Sequence, residues 1–95
     1  MNILYVETAP YVRKTITAVL EQVDANVMMA EHGGEGRDAF KQCGDYYFDL
    51  VITNLSMPRM NGESMIHAIR QYETNSQLYP TPILVVSGNL SLFRS

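Results

Sequence analysis

The sequence predicts an α/β domain built on a doubly wound parallel sheet. Short apolar runs alternate with amphipathic stretches, and most of the runs give way to a polar or glycine-containing turn. Along 95 residues the order is strand, helix, strand, helix, strand, helix, strand, a pattern that winds right-handed with helices on both faces of the sheet.

The first strand is Ile3-Leu4-Tyr5-Val6, with Glu7-Thr8 at its carboxyl end. Pro10 suits the first turn of a helix, and Thr8 is its expected cap. Val12, Ile16, Val19, Leu20 and Val23 recur at helical spacing, so the first helix is predicted over about 10–23. Asn26 to Ala30 is the second strand, and His32-Gly33-Gly34 reads as a turn. Residues 35–42 form a short second helix anchored by Phe40 and ended by Gly44. Gly36 inside it costs about 1 kcal/mol relative to Ala, which makes this the least stable helix on propensity.

Phe48 to Thr53 is the third strand, its apolar centre Leu50-Val51-Ile52 matching a strand covered on both faces. Pro58 stops the ladder because it has no N–H to donate. Gly62 then turns the chain into a third helix, about 63–72, whose Met65, Ile66, Ile69 and Tyr72 share one face. Residues 73–81 are polar and read as a loop. Pro82 opens the fourth strand, Ile83-Leu84-Val85-Val86, which runs into Ser87-Gly88.

Composition narrows the function classes. Hydrophobic residues make up 46%, enough for a packed core. Seven basic and ten acidic side chains give a net charge of −3, which offers no footprint for nucleic acid. With no apolar run of membrane-spanning length and no leader pattern, a cytoplasmic protein is expected, without a membrane partner. Cys43 is the sole cysteine, so no internal disulfide can form, and a small buried hydrophobe is favoured over a redox sensor. His32 and His67 are too isolated to suggest a metal site. No Ser-His-Asp or Cys-His arrangement is present, and no enzymatic activity is expected. Gly33-Gly34-Glu35-Gly36 lacks the Lys-Ser/Thr of a phosphate-binding loop. The aromatic run Tyr46-Tyr47-Phe48 fits either a partner surface or packing at a strand edge.

The stretch from Asp49 to Gly62 resembles the receiver domain of two-component response regulators. The family pattern is an apolar strand ending in a phosphate-accepting Asp, followed by Met-Pro and Met-x-Gly. Here Met57-Pro58 and Met60-Asn61-Gly62 are in place, but the acceptor position holds Asn54. Pro10-Tyr11-Val12-Arg13 matches a pattern of the family's first helix, and the resemblance extends from Ile3 to Gly88. It implies a degenerate phosphorylation pocket. Glu7 and Thr8 stand where receivers keep two acidic residues that hold a divalent cation, and Ser87 stands where they keep the hydroxyl that contacts the phosphoryl group. A carboxamide is a poor nucleophile and offers no anionic ligand, so neither phosphate transfer nor firm Mg²⁺ binding is expected, and no cofactor is assigned.

Receivers have five βα units in strand order 2-1-3-4-5, whereas this sequence reaches only the fourth strand. The resemblance therefore implies one shortened domain over residues 1–95, with strand order 2-1-3-4 and without the fifth βα unit and its Lys. Ile83, Leu84, Val85 and Val86 would form an open edge, and the sheet face shared with the first helix would be half covered. Such surfaces recruit partners. The sequence thus predicts a pseudo-receiver that does not accept phosphate, dimerises through the fourth strand and uncovered face, and engages a histidine kinase or another signalling protein. The competing expectations are an ordinary receiver whose remaining segment has been lost, and a small domain that binds a nucleotide or flavin at the same strand ends.

Overall fold

A computed structural model describes residues 1–55 and 60–86. Strands β1 (Asn2–Val6), β2 (Asn26–Ala30), β3 (Leu50–Thr53) and β4 (Ile83–Val85) form one sheet in the order β2-β1-β3-β4. All three pairings are parallel. The helices are α1 (Pro10–Leu20), continued by a 3₁₀ turn over Glu21–Val23, α2 (Gly33–Gln42) and α3 (Gly62–Asn75). The predicted fold class and strand order are those observed.

Strand alternation divides the core in two. Leu4, Val6 and Val51 face α2 and α3, where they meet Phe40, Met65 and Ile69. Ile3, Tyr5 and Ile52 face the other way, onto Ile16 and Leu20 of α1. Each central strand is thus apolar on both faces, as a parallel sheet covered on both sides requires.

Several local expectations are corrected. Thr8 does not cap α1: Ala9 holds that position without a side-chain bond, and the Thr8 hydroxyl donates to the Glu31 carbonyl at 2.5 Å. His32-Gly33-Gly34 is not a free turn, because α2 starts at Gly33 and His32 caps it by accepting the Glu35 N–H on Nδ1. Gly33 is required there for a steric reason. Its N–H donates to the Met60 carbonyl at 2.9 Å, and a Cβ would collide with that oxygen.

The third strand begins at Leu50 and not at Phe48, since Phe48 turns into the core and stacks on Phe40 at 6.2 Å between centroids. The third helix continues to Asn75, which puts Glu73 on a helix where a loop was expected. Although acidic, Glu73 is buried: one oxygen accepts from Arg70 at 2.8 Å and the other from the Thr81 N–H at 2.6 Å. This carboxylate fastens the end of α3 to the chain entering β4. The fourth strand itself stops at Val85, although the Val86 N–H still donates to Thr53.

On the face shared with α1, Ile3, Tyr5 and Ile52 are buried, while Leu84, which pairs with Ile52, is 51% exposed; its neighbour Val85 is 38% exposed. Among the described residues, no strand lies beyond β4.

Candidate functional site

The carboxyl ends of β1 and β3 set the site by register. Val6 pairs with Thr53, so the next residues, Glu7 and Asn54, come side by side on the face shared with Tyr5 and Ile52. The backbone continues this pairing one step past the strands: Glu7 N–H donates to the Ala30 carbonyl at 3.0 Å and Asn54 N–H to that of Val6 at 3.3 Å. Two adjacent ladders thereby hold Glu7 in place.

The Glu7 side chain is almost fully buried, and both oxygens are engaged. Oε1 accepts from Nδ2 of Asn54 at 3.1 Å, and Oε2 accepts the Ala9 N–H at 3.0 Å. A carboxylate can only accept, so the amide must turn its nitrogen toward Glu7. The Asn54 amide thus stands against the carboxylate where a cation would otherwise be needed to hold two acidic groups together. The Glu7 charge also reaches Tyr5, two residues back on the same face. Burial first, and then Glu7, raise the Tyr5 phenol from 10.0 to about 12, against the opposing influence of Arg13.

Thr8 lies beside this pair in sequence, but its hydroxyl turns to the β2 side, where Arg13 also binds Glu31 at 3.2 Å. The sequence reading missed Glu31, although an acidic residue just past the second strand, facing the Arg of Pro10-Tyr11-Val12-Arg13, was a visible signal. The loop that carries Asn54 is pinned at Gly62, whose N–H donates to the Leu55 carbonyl at 2.9 Å and whose Cα leaves no room for a Cβ against Asn54. Asn61 then caps α3 by accepting the Ser64 N–H at 2.8 Å. Ser87 lies outside the described residues, as do Met57-Pro58. Among the described residues, no three His, Cys, Asp or Glu side chains converge as a metal-binding group.

Residues 3–93 match the sequence profile of the response regulator receiver domain. The chain belongs to the receiver family. It is 30% identical over 94% of its length to the cell cycle transcriptional regulator CtrA of Caulobacter vibrioides, of which it covers 35%. It is 32% identical over 92% of its length to the regulator of RpoS of Escherichia coli, of which it covers 23%. A protein-glutamate methylesterase/protein-glutamine glutaminase of Nitrosospira multiformis is 28% identical over 94% of the chain, again with 23% of the relative covered. The receiver thus spans about a quarter to a third of the length of these curated relatives.

Solved receivers superpose on the same architecture. The receiver domain of the histidine kinase CKI1 from Arabidopsis thaliana, in a variant form, has a TM-score of 0.79 at 27% identity, over 93% of this chain and 65% of that one. The chemotaxis protein CheY4 of Vibrio cholerae has a TM-score of 0.70 at 25% identity, over 88% and 65%. In the receiver described here, no helix among the described residues is long and apolar enough to cross a membrane.

Proposed function

We propose that this receiver does not accept phosphate and serves as a non-enzymatic protein-interaction module in two-component signalling. The observation that carries the reading is the Asn54 amide bound to the Glu7 carboxylate at 3.1 Å. The anionic oxygen of a carboxylate is missing from that position: the carboxamide oxygen is neutral and weakly nucleophilic, and the nitrogen lone pair is delocalised into the carbonyl.

The donor set does not fit a firmly bound Mg²⁺ ion. Hard cations are held by several oxygen ligands with negative charge among them. Glu7 supplies the one carboxylate of the pair, both of its oxygens accept N–H groups of the chain itself, and Thr8 is turned to Glu31. No step of the function is therefore routed through a metal.

In this reading the protein works by contact, in the cytoplasm, where its lone thiol stays reduced. A histidine kinase or a phosphotransfer protein is the natural class of partner. One solved relative by fold is a receiver co-crystallised with the histidine phosphotransfer protein Ypd1 of Saccharomyces cerevisiae. Another curated relative is the sensor histidine kinase GacS of Pseudomonas protegens. A second copy of the chain is a further partner, meeting the exposed Leu84 and Val85 of β4.

The deciding experiment is incubation with acetyl phosphate and Mg²⁺, followed by intact mass measurement. The expected spectrum shows unmodified protein. A phosphate adduct on this chain would reverse the reading in favour of an ordinary, working receiver.

A further inference from the structure

The amino ends of β3 and β4 lie at the opposite end of the sheet from Glu7 and Asn54, and they carry a concave surface. A groove of about 210 Å³ is lined there by Tyr46, Phe48, Asp49, Tyr79, Pro80 and Pro82. Its two walls come from the segments that lead into β3 and β4. The Tyr79 N–H donates to the Tyr46 hydroxyl at 2.9 Å and joins them.

Tyr46 adopts φ 59°, the left-handed region that a large side chain enters only at a steric cost. A bulky residue held there for packing alone would be expected to bury its ring, as neighbouring Phe48 does. Instead Tyr46 is 56% exposed and Tyr79 82% exposed. The groove floor is fixed from below, because Phe48 stacks on Phe40 and meets Tyr47 edge to face at 4.9 Å. Asp49 gives the lining its formal charge, and no lysine or arginine stands among the described lining residues. One of its oxygens accepts the Asn2 N–H at 2.8 Å, which orients the carboxylate.

Exposed tyrosine faces with flanking prolines suit an extended segment rich in proline, whose ring stacks on aromatics and loses little freedom on binding. A carboxylate beside tyrosine rings suits a cation, through charge and through the ring faces. We propose that this groove docks an extended, proline-containing segment of a partner protein that also carries a lysine or arginine. The surface is separate from the Glu7–Asn54 pocket, so a partner here leaves that end of the sheet free.

The test is an amide NMR titration of the full chain with a short synthetic peptide bearing a Pro-x-x-Pro core and a flanking arginine. Saturable shifts are expected at Tyr46, Asp49 and Tyr79. Tyr79→Ala removes an exposed ring yet keeps the backbone N–H that binds Tyr46, so the fold is preserved and affinity should fall at least about tenfold. Asp49→Asn, which keeps an oxygen for the Asn2 N–H, should weaken the arginine peptide and leave a peptide with glutamate in its place unaffected. The proposal is overturned by an absence of saturable shifts, by equal binding of the two peptides to the native chain, or by native affinity in Tyr79→Ala. Shifts at the same amides that grow with protein concentration alone would assign the groove to a second copy and also overturn it.

Discussion

The contact between Asn54 and Glu7 turns on one atom, the amide nitrogen that donates to Oε1 at 3.1 Å. Exchanging the amide for a carboxylate in Asn54→Asp would replace the N–H donor to Glu7 with a second acidic group about 3 Å away. The variant should lose about 1–3 kcal/mol in the absence of divalent ions and regain much of it in millimolar Mg²⁺. Thermal melting with and without Mg²⁺ measures this, and the native chain should show no Mg²⁺-dependent shift. Tyr5 makes a second prediction from the same neighbourhood. Its phenol is raised to about 12 in the fold, whereas in the unfolded chain it titrates near 10. The folded state therefore holds the proton more tightly, and stability is fully present below pH 10. This contribution is lost as pH rises from about 10 to about 12. Urea denaturation across that range should show the decline in the native chain and a flatter profile in Tyr5→Phe.

At the scale of elements, α2 and α3 owe their positions to contacts that propensity does not register. Gly36 looked like a weakness, since Ala would favour the helix by about 1 kcal/mol. In the fold, a Cβ there would lie 2.7 Å from both Met65 Sδ and Val6 Cγ2, two fully buried side chains. Gly36→Ala should therefore destabilise the protein by about 1–3 kcal/mol, the reverse of the helix-propensity expectation. Equilibrium unfolding distinguishes the two signs directly. The joint between α3 and β4 depends in turn on Glu73, whose two oxygens hold Arg70 and the Thr81 N–H. Glu73→Ala leaves that buried N–H without its acceptor and should cost about 1–3 kcal/mol. The loss should be local, with hydrogen exchange at Ile83 to Val86 accelerating well before that of β1.

For the molecule as a whole, the outer strand is the surface on which the proposed self-association rests. Leu84 and Val85 are exposed on β4, and no strand flanks them among the described residues. Self-association through this edge predicts a concentration-dependent dimer in light scattering after size exclusion. Leu84→Lys should shift the equilibrium to monomer, because a charge on an outer strand opposes strand addition. A native chain that stays monomeric at high concentration would remove β4 as an assembly surface. The two surfaces are separate, since Glu7 and Asn54 directly follow the central strands β1 and β3 and do not lie on the outer edge.

The sequence by itself determined the alternation of apolar runs and amphipathic helices, hence the parallel sheet. With the receiver motifs, it also identified Glu7, Thr8 and Asn54 as neighbours. Those features are periodic or local, and period and motif are what a linear chain displays. Only the tertiary structure decided that Thr8 turns away to Glu31, that Glu73 is a buried clasp, and that Gly33 and Gly36 are sites of close approach. It likewise split Tyr46-Tyr47-Phe48 into one core ring and two exposed ones. Each of these depends on atoms brought together from distant parts of the chain, and no local propensity encodes which residues those will be.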